Sequence, residues 1–222
     1  MTSGKEPIVF IVSGPSASGK STLVKKLLEL PGMLFSVSRT TRPRRAQEDH
    51  TPQGEWYNFV LPEEFRRMVE AGEFLEHACV FGKHWYGTPR RWLDEARKRG
   101  LDLVLEIDVQ GAAQVKGKLK EAVAIFILPP SSQALEARIR ARGQDSEEEI
   151  KRRLERARQE IEHYTDYDYL VINEDIERAG QEVQAIARAV RGDEAAKAVA
   201  AGCGRGLNTA KVRRILNSFG GN

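Results

Sequence analysis

Residues 14–21, Gly14-Pro15-Ser16-Ala17-Ser18-Gly19-Lys20-Ser21, narrow the possible folds more than any other stretch of the chain. They satisfy G-x-x-x-x-G-K-[ST] at every fixed position. The flanks are what such a loop needs. PIVFIV (7–12) is a short apolar, β-rich run that reads as a strand buried on both faces. STLVKKLLEL (21–30) has apolar residues at helical spacing and is stopped by Pro31 and Gly32. A loop between a buried strand and a helix can aim consecutive backbone N–H groups at one point, and the helix N-terminus adds the positive end of its dipole. Lys20 can set a point charge beside the β- and γ-phosphates of a bound nucleoside triphosphate, and Ser21 can ligate Mg²⁺. The candidates for binding that triphosphate are therefore Gly14 through Thr22, with Lys20 also a catalytic candidate.

Further along, strands and helices alternate. LDLVLEIDVQG (101–111), AVAIFILPP (122–130) and DYLVIN (168–173) read as buried strands, with LFSVS (34–38) as another. Helical patterns cover 89–100, 132–143, 146–164 and a stretch ending near Arg191. Such alternation implies a three-layer α/β fold around a central parallel sheet. Residues 39–88 break the rhythm with an arginine-rich loop, short strands at 55–60 and 73–81, a helix at 62–72 and a turn at 82–88. They read as an inserted small mixed-β subdomain. The helical hairpin around Gly143, residues 136–158, reads as a lid.

Charge is unevenly spread. The net charge of +3 comes from the C-terminal end, where Lys197, Arg205, Lys211, Arg213 and Arg214 have no acidic neighbour after Glu194. Without those five, the chain carries 30 basic against 32 acidic residues. The basic balance is thus no sign that the body binds nucleic acid, and Phe219 is the one aromatic in the tail, which argues against stacking on bases. Two cysteines, Cys79 and Cys203, exclude a disulfide framework and a cysteine-rich zinc site. There is no apolar run of about 18 residues and no secretory pattern at the start. A cytoplasmic enzyme, monomeric or homo-oligomeric, with no membrane partner, is the expectation.

The acceptor side has its own signal. SVSRTTRPRR (36–45) places Arg39, Arg42, Arg44 and Arg45 within seven positions. Arginine forks pair bidentately with phosphate oxygens, so after a phosphate loop this cluster is a candidate clamp for a second phosphorylated substrate. Tyr57 and Tyr86 could add hydroxyl donors.

These pieces together resemble guanylate kinase. The resemblance runs from about Ile8 to Arg191 and rests on GPSASGKST (14–22), SVSRTTRPRR (36–45), WYNFV (56–60), GEFLEHACVFGKHWYGT (72–88), LEIDVQG (105–111), FILPPS (126–131), RIRARGQDSEEEIKRRL (138–154) and DYLVINED (168–175). It implies a P-loop kinase that moves the γ-phosphoryl group of ATP to GMP or dGMP with Mg²⁺. It gives the GMP phosphate to Arg42, Arg45, Tyr57 and Tyr86, and the guanine to Ser38, Glu76 and Thr88 with help from Glu106. Arg138, Arg142 and Arg153 become lid arginines that reach the transferring phosphates. Asp108 joins Ser21 near the metal, through water, and Asn173 lies near the nucleotide or simply forms a turn. It divides the chain into a domain over 1–191 and a tail over 192–222. The domain has a core (7–38, 89–135, 160–191), a GMP-binding subdomain (39–88) and a lid (136–158).

The chemistry is consistent with those roles. Guanine offers two adjacent donors, N1–H and the exocyclic amine, and a carboxylate is acceptor-only. Adenine would set an acceptor against Glu76, and sites of this kind reject the wrong partner by roughly 10⁴-fold. The attacking oxygen is already an anionic phosphate, so no general base is needed, and His50, His77, His84 and His163 read as non-catalytic. The alternatives are a non-catalytic guanylate-kinase-like module that binds phosphoproteins and a P-loop kinase of another small phosphorylated acceptor. Intact Gly19, Lys20, Ser21 and lid arginines argue against the first, and the guanine constellation against the second.

Three residues depart from the family pattern. Ala17 stands where glycine is usual, which requires a negative φ there. Glu106 stands where aspartate is usual, and Thr88 where serine is frequent. The tail reads as an alanine- and glycine-rich linker (192–206), flexible or weakly helical, followed by a short helix capped by Asn208 with Val212, Ile215, Leu216 and Phe219 on one face. A tail that is loose and dispensable for activity is the expectation, with docking on the chain or on an acidic partner as alternatives.

Overall fold

The structure is a computed structural model of the 222-residue chain; it describes residues 6–44, 56–80, 82–141, 143 and 145–220. Its centre is a five-stranded, all-parallel sheet. The strands are β1 (Val9–Ser13), β2 (Met33–Phe35), β7 (Asp102–Glu106), β8 (Val123–Leu128) and β9 (Tyr169–Ile172), in the order β2-β7-β1-β8-β9. β1 is the middle strand and is buried along its whole length, as its uninterrupted apolar run requires. One face is covered by α1 (Lys20–Leu28) and α7 (Ile176–Val190), which pack on each other. Val12, Leu23, Leu27, Ile125, Val183 and Ile186 belong to that layer. The other face is covered by α3 (Arg91–Arg99) and α4 (Val109–Lys118), with Leu93, Val115, Leu103 and Phe126 in its core.

A second sheet stands beside the first. It is mixed, with β3 (Ser38–Thr40), β4 (Tyr57–Phe59), β5 (Phe74–Val80) and β6 (His84–Pro89) in the order β4-β3-β6-β5. The helix α2 (Pro62–Glu70) packs on it through Phe65 and Met68, and Phe65 stacks on Phe74. The hairpin of α5 (Ser132–Arg140) and α6 (Glu147–Glu162) lies on the other side of the phosphate loop. Side-chain oxygens of Ser131 and Ser146 cap the two helices.

Three sequence readings are corrected. Residues 34–38 form not one strand but the ends of two, in different sheets. The buried Ser36 makes the crossing: its N–H and Oγ both donate to the Val104 carbonyl, at 3.0 and 3.1 Å, and the chain then leaves the central sheet. Residues 84–89, read as part of a turn, are β6, paired on both sides, a non-local pairing that no local pattern announces. Residues 109–118, read as the end of a strand and a connection, are α4, capped by Asp108 Oδ1 accepting from Gly111 N–H at 2.9 Å.

The loose tail is also corrected: the segment is helical and docked on its own chain, as the alternatives had it. Asp193 caps a 3₁₀ turn (Glu194–Ala196), and α8 (Lys197–Gly202) and α9 (Arg205–Ser218) follow. Gly204 bridges Tyr169 antiparallel, while Leu170 N–H donates to the Cys203 carbonyl at 2.8 Å, so the tail covers the otherwise open edge of β9. Val212 and Ile215 are buried in the core layer of Phe126 and Leu170. Asn208 is not a cap. It sits inside α9, buried, and its Nδ2 donates to the Gly202 and Gly204 carbonyls, closing the α8–α9 turn.

Candidate active site

A cavity of about 430 Å³ opens between the C-terminal ends of β1 and β7, the small sheet and α6. Ligand crevices in parallel α/β sheets form at such strand ends. One wall is the phosphate loop. Gly19 ends it with φ +98°, and a Cβ there would come within 2.2 Å of Asn173 Nδ2, so only glycine fits. The loop is held from beneath by its own carbonyls. The Ser18 carbonyl accepts from Asn173 Nδ2 at 2.8 Å and from Arg138 Nη1 at 3.3 Å, and Arg138 Nη2 donates to the Asn173 carbonyl at 2.7 Å. Lys20 Nζ donates to the Gly14 and Pro15 carbonyls, at 2.7 and 2.9 Å. Gly14, Ser16, Ala17 and residues 19–22 line the cavity, whereas Pro15 and Ser18 serve through their carbonyls.

Ala17 does not have the negative φ that the sequence reading required. Its φ is +66°, and among the described residues it is the one non-glycine with positive φ. That conformation costs an L-residue roughly 1–2 kcal/mol. The methyl is buried against Leu135, Ile139, Ile150 and Ala157 of the α5–α6 hairpin, which offsets part of that cost.

The opposite wall belongs to the small sheet. Thr88 donates to Glu76 Oε1 twice, from its N–H at 2.9 Å and from Oγ1 at 2.6 Å, and Ser38 Oγ lies 3.3 Å from Thr88 Oγ1. The three are buried, with Glu76 only 3% exposed. Burial pushes the Glu76 carboxyl up to about 7; the Thr88 hydroxyl opposes this shift and the charge of Asp108 adds to it. Glu76 Oε2 lies where a side chain at position 111 would be, 2.5 Å from a Cβ built on Gly111, so glycine at the start of α4 makes room for the carboxylate. Nearby, Arg42 Nε donates to Tyr86 Oη at 3.1 Å, and its guanidinium lies over the Tyr57 and Phe59 rings. Ser38, Arg42, Arg44, Tyr57, Glu76 and Tyr86 line the cavity, with Thr88 behind Glu76. Arg39 does not join them. It turns to Glu64 on α2, at 3.6 Å.

Glu106 stands in surroundings other than those expected for it, and Asp108 lines the cavity with it. Glu106 Oε1 accepts from Ser21 Oγ at 2.8 Å, on the phosphate-loop side rather than with guanine-reading groups. Burial holds its carboxyl above the ordinary range, opposed by the Lys20 charge and the Ser21 bond. Asp108 is the carboxylate whose field reaches Glu76. The physical reason is where the strand ends: Glu106 is the last residue of β7, beside β1, which delivers the phosphate loop, whereas Asp108 has left the sheet and caps α4, which packs against β5. Both keep one buried, unpartnered oxygen, Glu106 Oε2 and Asp108 Oδ2, and both line the cavity with Ser21.

The remaining arginines divide. Arg153 lines the cavity and pairs with Asp145 at 2.5 Å. Arg138 is tied to the carbonyls of Ser18, in the phosphate loop, and Asn173, after β9, and does not line the cavity. Arg45 and Arg142 lie outside the described residues. Asn173 is buried and clamps the loop. Sequence reasoning missed Glu160, which lines the cavity from α6 and accepts from Arg156 Nε at 3.2 Å. Burial raises its carboxyl, opposed by Lys20 and Arg156. Within a helix of alternating charges nothing separates it from a solvated glutamate.

The family model described as guanylate kinase matches residues 6–190. The chain belongs to the guanylate kinase family. Curated guanylate kinases agree: that of Koribacter versatilis is 50% identical over 187 residues, covering 82% of this chain and 78% of its own, and that of Photobacterium profundum is 47% identical, covering 82% and 88%. The crystal structure of guanylate kinase from Anaplasma phagocytophilum superposes with a TM-score of 0.68 at 37% identity, covering 86% of this chain and 89% of that one. Within the family frame, the two cavity walls correspond to a donor side and an acceptor side. Residues 191–222, the tail included, lie beyond the family match.

Proposed function

We propose that this member of the guanylate kinase family is an ATP:GMP phosphotransferase acting in cytoplasmic purine nucleotide metabolism, with GMP or dGMP as acceptor. The observation that carries this reading is a single cavity with a phosphate loop on one wall and a buried Glu76–Thr88–Ser38 chain on the other. Among the described residues no helix is long and apolar enough to cross a membrane.

The ionised Glu76 accepts from guanine N1–H and the exocyclic amine, with Thr88 and Ser38 holding the carboxylate in place. Arg42, with Tyr57 and Tyr86, binds the GMP phosphate, and Arg45 is assigned the same role by resemblance alone. A phosphate oxygen of GMP attacks the γ-phosphorus of ATP. The bond from that phosphorus to the β–γ bridging oxygen breaks, and ADP and GDP result. The nucleophile carries no proton, so catalysis is positioning and charge neutralisation. Lys20 leaves the Gly14 and Pro15 carbonyls for the donor phosphates, and Arg153, with Arg142 by resemblance, supports the transferring group. Arg138 acts through the Ser18 carbonyl of the phosphate loop and the Asn173 carbonyl beside it.

Mg²⁺ suits the oxygens at hand: the Ser21 hydroxyl and the unpartnered Glu106 Oε2, with Asp108 Oδ2 further along the cavity, are hard donors of the kind that bind it alongside substrate phosphates. When bound it would neutralise negative charge on the donor phosphates. Glu106 and Ser21 are its proposed holders, and Asp108 is assigned to the guanine side with Glu76.

The test is a coupled assay of ADP formation with GMP, dGMP, AMP, CMP and UMP offered separately. Turnover with the guanine nucleotides at least roughly 10³-fold above the others is expected. Equal use of AMP, or no transfer to GMP, would sink the reading.

A further inference from the structure

The chain after Arg191 lies outside the family match, and the chemistry above uses none of it. Even so, α9 packs on α5 and α6, the hairpin that carries Arg138 and Arg153. Its C-terminal end grips the first turn of α5 twice. Ser132 N–H donates to Ser218 Oγ at 2.9 Å, and Ser132 Oγ donates to the Ser218 carbonyl at 2.5 Å. Phe219, partly buried, packs against the small apolar cluster of Leu135, Ile139, Ile150 and Ala157. The fifth member of that cluster is Ala17, from the phosphate loop.

Ala17 makes the cluster informative. Glycine would adopt φ +66° without strain, yet an alanine stands there and buries its methyl in the hairpin. A second link lies next to it: Arg138, on α5, holds the Ser18 carbonyl. The position of α5 is thus passed to two adjacent loop residues, to one by packing and to the other by a hydrogen bond. The tail fixes α5 from the opposite end of the helix.

We propose that residues 194–219 are a brace that fixes α5 and, through Ala17 and Arg138, the shape of the phosphate loop that receives ATP. Ser218 and Phe219 are positioning residues, since neither touches the cavity. The inference rests on the ATP:GMP transfer reading for its kinetic readout, but not for its binding readout.

The test uses the full-length chain with Phe219→Ala and, separately, Ser218→Ala. ATP and GMP are varied independently in steady-state assays, ATP affinity is measured by calorimetry, and Tm is recorded alongside. Phe219→Ala should raise the ATP KM and Kd by about fivefold with the GMP KM unchanged. Ser218→Ala should act in the same direction and less. In an Ala17→Gly background, Phe219→Ala should have a clearly smaller effect than in the parent chain, because one of the two links is already cut and only the Arg138 hydrogen bond remains. Removing everything after Arg191 would uncover the core beside β9, and a failure to fold would then mask positioning; the single substitutions avoid this. If the parent chain does not phosphorylate GMP, the transfer reading fails while calorimetry still reports on the brace. A lower Tm with ATP affinity unmoved, or ATP and GMP constants that shift equally, would show that the tail merely closes the core, and would overturn the brace.

Discussion

On the donor wall, the contacts that shape the site run to main-chain atoms: the carbonyls of Gly14, Pro15 and Ser18 are held by Lys20, Asn173 and Arg138. On the acceptor wall they run between side chains, from Ser38 to Thr88 to Glu76 and from Arg42 to Tyr86. The donor wall belongs to the central sheet, and the acceptor wall to a separate four-stranded sheet. Phosphate carries charge but little shape, so backbone amides and a helix end suffice to hold it. A base must be told from other bases by donors and acceptors at fixed places, and only side chains of chosen chemistry can supply those. A donor wall made of backbone tolerates a non-glycine such as Ala17 at a cost in strain, whereas the acceptor wall depends on the identity of each group.

The largest expected effect breaks the donor wall. Lys20→Ala should lower kcat by roughly 10²-fold or more, as other lost electrostatic stabilisers do, with little change in the GMP KM. Near-normal turnover would mean that the loop works by backbone alone. On the acceptor wall, Glu76→Gln should reduce kcat/KM for GMP by about 10²-fold, the loss of one charged hydrogen bond, and leave ATP affinity unchanged. A matching loss of ATP affinity would erase the distinction between the walls.

Glu76 also gives the acceptor wall a pH dependence. Its carboxyl sits at about 7 in the unliganded protein, and the guanine donors require the ionised form. Below that pH the GMP KM should rise by up to about tenfold per unit, and above it the KM should level off. The sign for stability is opposite. Between the ordinary carboxyl value and about 7 the folded state holds a proton that the unfolded chain has released, so stability falls as pH rises through that interval. Glu76→Gln should remove both dependences, which titration of the GMP KM and unfolding at pH 5 and pH 8 would reveal. A GMP KM flat from pH 5.5 to 8 in the parent protein would contradict the assignment.

Smaller effects sharpen the boundary between the walls. Glu106→Gln should raise the Mg²⁺ concentration needed for half-maximal rate by about tenfold, and Asp108→Asn should chiefly move the pH at which the GMP KM levels off downward, because a charge that helps hold the Glu76 carboxyl up is gone. The reverse pattern would restore the assignment expected from resemblance. Asn173→Ala removes one neutral hydrogen bond to the loop, and should raise the ATP KM by about threefold to fivefold without touching the GMP KM.

Much of this was legible in the residues themselves. The phosphate loop needs a contiguous run in which each position has a local job, so Gly14 to Ser21 could be read in one pass. The central strands carry unbroken apolar runs because both faces are covered; β7, β8 and β9 lie within the segments read as strands, and β1 runs one residue past its segment, to Ser13. The guanine-side candidates Ser38, Glu76 and Thr88 were legible through resemblance, and they meet in the structure although 50 positions separate Ser38 from Thr88.

What the chain pattern left undecided is what depends on contacts between distant segments. The break between β2 and β3 is made by Ser36 against Val104, and β6 exists because two other strands flank it. Glu106 and Asp108 differ by two positions and look interchangeable in sequence. Only the end of β7 and the start of α4 give one to Ser21 and make the other the cap of α4. The tail is the clearest case. Its composition suits a loose linker, because alanine and glycine carry no instruction about a partner. Its helices are ordered by an open sheet edge at β9 and an apolar layer around Phe126, and neither exists until the rest of the chain has folded.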